Sequence, residues 1–235
     1  MNTLWSFGDS FTHPFDNNWI AQISSGLNLE NKSFGFNGSS LDFTYLAVNR
    51  FAEQFKEDDV VIVALTEVSR QWVIKDQPGC THIQSLEALV PKSDIMFYYR
   101  YFMTCVIPEV VETRLENFLW ALKAKTLHLK QKPIIFFCFG STLDVMRKKK
   151  LPEFNYVNWP LKTVCEQEIA IKDRQKKFVG EPRINHLMPV NHKILASKVL
   201  DHIKNSKEIT LDGFAREILT HEQYHRMPSV LSSTG

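Results

Sequence analysis

The sequence predicts an α/β fold, a three-layer α/β/α sandwich around a mainly parallel sheet of about five strands. Three observations predict it. Strand-like runs alternate with segments of helical spacing along the 235 residues. Two of the runs, 59–65 and 133–139, are apolar almost throughout, which is typical of strands covered by helices on both faces. Neither an internal repeat nor a linker divides the chain, so residues 1–235 are predicted to form one domain.

The elements of the first half follow from two kinds of pattern. The strands are short runs rich in apolar residues, and the helices place apolar residues three or four positions apart, as Trp19, Ile20 and Ile23 are placed. In order, the sequence predicts a strand at 3–7, a helix at 18–27, a strand at 31–34, a helix at 41–55 and a strand at 59–65. Residues 67–108 are rich in aromatic side chains and are predicted to be a helical insertion over the carboxyl edge of the sheet.

The second half continues the alternation. Residues 108–130 are the most clearly predicted helix. They carry an apolar stripe at helical spacing, and their early glutamates and late lysines complement the helix dipole. The further predicted elements are strands at 133–139 and 155–160, helices at 189–205 and 211–225, and a loose tail at 228–235. The helix at 189–205 is predicted from the spacing of Leu195, Val199 and Ile203.

Composition excludes several classes of protein. With 44% hydrophobic and 23% charged residues and a formal net charge of +2, the chain has an ordinary globular composition and no strong case for binding nucleic acid. No run approaches the roughly 18 apolar residues of a membrane span, and no secretory signal is visible, so a cytoplasmic location is expected. The four cysteines form no C-x-x-C pair and no zinc spacing, which favours reduced thiols, with Cys138 a buried one.

The turn Gly8-Asp9-Ser10 is the leading candidate for chemistry. It follows the first strand and precedes a segment of helical spacing, the position where nucleophilic serines are commonly presented. A serine hydroxyl needs a base to remove its proton and donors for the oxyanion that then forms. Asp9 is expected to stabilise the turn by hydrogen bonds to backbone N–H groups.

Two histidines in the segment 183–196 are candidates for the base. His186 lies just before a predicted helix, and His192 lies in the first turns of that helix. His186 is the preferred base and His192 a supporting residue, with the exchange of these roles as the alternative. His13 is expected to be an exposed loop residue, with a place in the pocket lining as the alternative. His221 and His225 stand four positions apart, but without a carboxylate between them they predict no metal site.

A further candidate follows the third strand. Arg70 is expected to pair with Glu67, and contact with an anionic substrate is the alternative.

Taken together, three blocks resemble the SGNH hydrolases, also called GDSL esterases and lipases. The blocks are Phe7-Gly8-Asp9-Ser10, Asn37-Gly38-Ser39-Ser40 and the histidine segment that contains His186. Their order and spacing are similar to the family's over roughly residues 1–204, and the resemblance is closest to divergent members found in bacteriophage genomes. It implies a flavodoxin-like sandwich and a serine hydrolase that acts on an ester, such as an O-acetyl group on a carbohydrate, with no metal or organic cofactor.

The resemblance also implies roles for individual residues. Ser10 would be the nucleophile and His186 the base. Backbone N–H groups of Ser10 and Gly38 would bind the oxyanion, aided by Thr66, which stands where the family has an asparagine; an ordinary strand-end threonine is the alternative. Arg183 stands where the family has the aspartate that orients the histidine, so Glu181 or a backbone carbonyl would take that role.

These departures leave a second interpretation open. The chain would then be a catalytically impaired module of the same fold that binds a glycan or serves as a virion component, with contacts to other virion proteins or to copies of itself. The location expected for such a module is the virion.

Overall fold

A five-stranded parallel sheet organises the chain. The computed structural model describes residues 1–15, 17–72, 92–105, 107–165, 186–187 and 189–215. Its strands are β1 (Thr3–Gly8), β2 (Glu30–Gly35), β3 (Val60–Leu65), β4 (Ile134–Phe137) and β5 (Asn155–Pro160). They lie in the order β2-β1-β3-β4-β5, and every neighbouring pair is parallel. The predicted parallel sheet is confirmed, and each strand begins and ends within two residues of its predicted bounds.

The described residues form six α-helices: α1 (Trp19–Leu27), α2 (Leu41–Phe51), α3 (Lys92–Cys105), α4 (Pro108–Thr126), α5 (Gly140–Met146) and α6 (Pro189–Asn205). Five of them, all except α3, contribute to the cores on the two faces of the sheet. Alternate side chains of a strand point to opposite faces. Leu4 and Ile62 therefore pack in one core with α1 and α6, whereas Trp5 and Val63 pack in another with α2, α4 and α5. The predicted three-layer sandwich is confirmed. None of the described helices is long and apolar enough to cross a membrane.

A buried carboxylate fixes the start of β1. Asp59, which lies just before β3, accepts hydrogen bonds from the Thr3 N–H at 2.7 Å and from the Trp5 indole N–H at 2.8 Å. These contacts anchor β1 against β3, with Gly8 paired to Ala64 at the far end. The chain therefore leaves both strands at the same edge of the sheet.

Three predicted helices differ in the structure. The helix predicted at 108–130 is α4, which ends four residues earlier, at Thr126. The segment 41–55 ends its α-helix at Phe51 and continues as a 3₁₀ turn over Ala52–Gln54. The helix predicted at 211–225 does not begin at Leu211, because the described residues 211–215 form a turn. Gly213 there has φ +78°, a left-handed conformation that interrupts a helix. Residues 216–235, which include the predicted tail, lie outside the described residues.

The insertion predicted at 67–108 contains α3, with 73–91 outside the described residues. The short helix α5 carried no pattern that predicted it.

Candidate active site

The candidate site lies at the carboxyl edge of the sheet, where β1, β3 and β4 end together. Gly8 pairs with Ala64, and Ala64 pairs with Phe136. Two residues beyond Gly8 and Ala64 come Ser10 and Thr66. Ligands of parallel α/β sheets bind beyond the carboxyl ends of the strands, so the topology places both residues at the edge where such ligands bind.

The turn that carries Ser10 is held by its own backbone and by Asp9. The buried Asp9 carboxylate accepts the Phe11 N–H at 3.1 Å, and the Asp9 carbonyl accepts the Thr12 N–H at 3.0 Å. The turn also requires Gly8, whose φ is +153°, because a methyl group there would lie 2.5 Å from the Ala64 carbonyl oxygen. The predicted stabilising role of Asp9 in the turn is confirmed by these contacts.

Asp9 is bound on its other side by a thiol and a cation. The Cys138 S–H donates to Oδ1 at 3.3 Å, and an Arg70 guanidinium nitrogen lies 3.4 Å from Oδ2. Burial, followed by the nearby Asp9 charge, raises the pKa of the Cys138 thiol well above its ordinary value. Arg70 also lies 3.6 Å from the Glu67 carboxylate, so the predicted pairing is confirmed, with Asp9 as an additional partner.

The turn that contains Gly38 is docked against the end of β1. The Phe36 N–H and the Ser39 hydroxyl both donate to the Gly8 carbonyl, at 3.3 and 3.0 Å. Gly38 itself has φ +70°, which favours glycine. Ser40 then caps α2 by accepting the Phe43 N–H. The structure therefore places Gly38 in a turn that touches the residue two positions before Ser10.

Thr66 presents a buried hydroxyl at the end of β3. Its side chain is 1% exposed, and its Oγ1 has no hydrogen-bond partner among the residues that the structure describes. Its carbonyl accepts the Thr142 hydroxyl at 2.8 Å, which fixes the backbone. A buried hydroxyl without a hydrogen-bond partner is costly. A polar atom of a bound substrate would satisfy it.

His186 enters the site from the segment just before α6. Leu187 forms an isolated antiparallel bridge with Cys165, and the His186 ring stacks on Phe11 with ring centres 6.1 Å apart. These contacts bring His186 to a small cavity of about 10 Å³ beside Ser10. Glu181 and Arg183, which stand at or near the position expected to orient His186, lie outside the described residues.

His192 reaches the same cavity from α6. Its Nδ1 accepts the Trp19 N–H, the first of α1, at 3.3 Å, and its ring meets Phe15 edge-on with centres 5.4 Å apart. A neutral imidazole whose Nδ1 accepts a hydrogen bond carries its proton on Nε2. His192 therefore offers a donor at Nε2, which argues against the alternative in which it is the base.

Two of the predicted oxyanion donors are absent from the cavity lining. The residues that line the cavity are Ser10, Phe11, Phe15, His186, Leu187 and His192. Gly38 and Thr66 are not among them. Gly38 lies just before α2, and the Thr66 carbonyl accepts the hydroxyl of Thr142 in α5. His13, expected to be exposed, is instead half-buried and donates from Nδ1 to the Gly35 carbonyl at 3.1 Å.

Sequence reasoning missed the aromatic part of this site. Phe11 and Phe15 follow the serine too closely to show a periodic pattern. Phe139 lies under Arg70, whose guanidinium carbon is 4.8 Å from the centre of the Phe139 ring. The only sequence feature that pointed to Phe139 was its place at the end of a predicted strand.

Within the described part of the chain, no group of three or more His, Cys, Asp or Glu residues could hold a metal ion. His221 and His225 lie outside that part.

Comparison with known proteins gives distant similarities. No protein-family model matches the chain. The bifunctional purine biosynthesis protein PurH of Buchnera aphidicola is 32% identical over 114 residues, which are 42% of this chain and 22% of that protein. The chain thus spans less than a quarter of that relative's length.

Two solved structures are similar at lower identity, both of proteins described as members of the lipolytic G-D-S-L family. The protein from Desulfitobacterium hafniense is 13% identical with a TM-score of 0.39, over 85% of this chain and 98% of that one. The protein from Veillonella parvula is 11% identical with a TM-score of 0.43, over 88% and 100%. The fold assignment itself rests on the sheet order and the layers described above.

Proposed function

We propose that the chain is a serine esterase in which Ser10 is the nucleophile and His186 the base. The observation that carries the proposal is the convergence of both residues on one cavity at the carboxyl edge of the sheet. A serine hydroxyl is a weak nucleophile until an adjacent base removes its proton. His186 is the group that supplies this base, because His192 uses its Nδ1 as an acceptor and offers a donor at Nε2.

The proposed reaction proceeds in two halves. Ser10 Oγ attacks the acyl carbon while its proton passes to His186, and His186 returns a proton to the leaving alcohol as the ester C–O bond breaks. Water then attacks the acyl-Ser10 ester, again giving its proton to His186, and the acid leaves as Ser10 recovers its proton. This chemistry uses no metal or organic cofactor.

The developing oxyanion requires preorganised hydrogen-bond donors. We assign the backbone N–H groups of Ser10 and Gly38 and the hydroxyl of Thr66. The support for Thr66 is its buried Oγ1, which has no hydrogen-bond partner in the described ranges. A single oxyanion donor contributes about 10²–10³ in rate, so a hydroxyl in this position is a large part of the proposed catalysis.

The orientation of His186 comes from its surroundings. Stacking on Phe11 and the bridge at Leu187 fix the ring and its backbone. As proposed from the sequence, Glu181 or a backbone carbonyl accepts the second ring N–H of His186. The catalytic unit is therefore a Ser–His dyad or an irregular triad. The proposed substrate is an ester, of which an O-acetyl group on a carbohydrate is the form that the family resemblance implies.

Hydrolysis of p-nitrophenyl acetate tests this function. Ser10→Ala should abolish enzyme-dependent turnover, whereas Ser25→Ala, which alters an exposed serine of α1, should leave it unchanged. Thr66→Val should lower kcat by about 10²–10³, and Thr66→Ser should retain most of it. Turnover in Ser10→Ala equal to that of the unaltered protein would refute the proposal.

The alternative function, a glycan-binding module without catalysis, is favoured by one exposed surface. Phe97 and Tyr101 lie four positions apart on α3 and are 68% and 36% exposed. Aromatic side chains with this spacing share one helix face, and such a face can stack on sugar rings. Loss of glycan binding in Phe97→Ala, together with no Ser10-dependent hydrolysis, would select this function.

A further inference from the structure

A second cavity lies away from Ser10, between β5 and the end of α6. Its volume is about 330 Å³, within the range of about 300–1,000 Å³ that is typical of small-molecule sites. It shares no lining residue with the cavity beside Ser10. In α6, His192 lines the first cavity and His202 the second, and these positions lie about 15 Å apart along the helix axis. A ligand in the second cavity is therefore remote from the proposed nucleophile.

The wall of this cavity that follows α6 is held by hydrogen bonds. The Ser206 N–H donates to the His202 carbonyl at 2.9 Å. His202 Nδ1 donates to the Lys207 carbonyl at 2.8 Å, because a carbonyl oxygen can only accept. The Trp159 indole N–H donates to the Ile209 carbonyl at 2.8 Å, which ties the wall to β5. The cavity is thus built into the fold and does not depend on a ligand to form it.

The lining is apolar at its base and polar at its rim. Its two buried residues are Val157 and Ile209, at 3% and 6% exposure. Its three exposed residues, Asn158, Ser206 and Glu208, are all polar. Within the described part of the chain, none of these three side chains makes a hydrogen bond or an ion pair. The rim therefore offers an amide, a hydroxyl and a carboxylate to a ligand.

Two further properties of the rim decide which class of ligand fits it. With Nδ1 donating to the Lys207 carbonyl, the neutral His202 ring has Nε2 as an acceptor. Glu208 is then the one charged residue of the lining, which disfavours anionic ligands. An ammonium group would gain little from Glu208, because an exposed ion pair is screened by water. The rim instead suits a neutral ligand that carries several hydroxyl groups.

We infer that this cavity binds a neutral sugar unit. A sugar ring has the same division as the lining, with C–H groups on its faces and hydroxyl groups around its edge. The C–H groups pack on Val157 and Ile209, and the hydroxyl groups reach the rim. Glu208 accepts hydrogen bonds from the hydroxyl groups, and such bonds to an ionised acceptor are stronger than neutral ones. Asn158 and Ser206 supply donors to the sugar oxygens.

Titration of ¹⁵N-labelled protein with single sugars, followed by ¹H–¹⁵N correlation spectra, tests the site. The probes are the methyl glycosides of glucose, galactose and mannose, and N-acetylglucosamine. At least one should shift the amide signals of Ser206 and Glu208 with a Kd of about 1 mM, the affinity expected for a ligand of this size. Ser10→Ala should bind the same sugar with the same Kd, because neither Ser10 nor His186 lines this cavity. The inference is therefore independent of the proposed function.

The exposed rim residues provide variants that should fold normally, which urea unfolding checks. Glu208→Ala should weaken sugar binding by about tenfold or more, and Asn158→Ala by about fivefold, since each removes hydrogen bonds of different strength. Glu153→Ala is the matched control. It removes an exposed carboxylate that lies next to the cavity but pairs with Lys132 at 3.1 Å, and it should leave the Kd unchanged.

Three results would overturn the inference. The first is the absence of shifts at Ser206 and Glu208 with every sugar up to about 100 mM, a hundredfold above the expected Kd. The second is a Kd that neither Glu208→Ala nor Asn158→Ala changes. The third is tighter binding of ethanolamine than of every sugar, which would make the cavity a site for cations.

Discussion

Asn191 ties three segments of the chain together through one side chain, and its replacement with alanine should be strongly destabilising. Its amide donates to the Val164 carbonyl at 2.8 Å and to the Ala215 carbonyl at 2.9 Å, and its oxygen accepts the Ala215 N–H at 2.8 Å. Asn191 itself is fully buried. At about 1 kcal/mol for each buried hydrogen bond, the loss is about 3 kcal/mol in the free energy of unfolding. In a protein of this size, that lowers Tm by about 6–12 °C.

Thermal and urea unfolding followed by circular dichroism measure this effect. Asn205→Ala is the matched control, since it lies in the same helix and its exposed side chain only approaches Asp201, at 3.4 Å. The control should change the unfolding free energy by less than about 0.5 kcal/mol. If Asn191→Ala were no less stable than Asn205→Ala, the reasoning that these three contacts hold Val164 and Ala215 against α6 would be refuted.

Two further predictions concern the surroundings of Ser10. Gly35→Ala should lower the free energy of unfolding by about 1–3 kcal/mol, because the new methyl group would clash with the Thr12 carbonyl carbon. Gly140→Ala, with nothing within 4 Å of the new methyl group, is the control, and equal urea midpoints for the two variants would contradict the close approach. The Cys138 thiol, whose pKa is raised mainly by burial from its ordinary 9.0, stays protonated in the folded state at pH values where the unfolded thiol ionises. Stability should therefore fall as pH rises above 9.0, and fall less steeply in Cys138→Ser. Identical slopes for the two proteins in alkaline urea titrations would argue against it.

The sheet and the location of the candidate site could be predicted because they depend on local patterns. The apolar run that became β3 and the turn after β1 are both visible in the sequence. In a parallel sheet the carboxyl ends of neighbouring strands meet, so Ser10, Gly38 and Thr66 follow from strand assignment alone. The parallel topology alone brings these three residues to the same edge of the sheet.

The partners of the site could not be predicted, because they come from distant parts of the chain. The bond from the Trp19 N–H to His192 Nδ1 spans 173 positions, and the bond from Cys138 to Asp9 spans 129. No local spacing encodes either contact, and both depend on how the layers pack.

The same reason explains the incorrect helix start at Leu211. The backbone N–H and carbonyl of Ala215 are bound by Asn191, so they are not engaged in a helix that begins at Leu211. The short helix α5 was missed because Phe139 precedes it without a side-chain cap, which is the usual signal of a helix start.

The central claim is that Ser10 is a nucleophile that His186 activates. Labelling with a serine-directed fluorophosphonate, followed by peptide mass spectrometry, tests it most directly. We predict a single adduct on the peptide that contains Ser10, absent in Ser10→Ala and formed much more slowly in His186→Ala. A protein that stays unlabelled, or that carries the adduct on another residue, would contradict it.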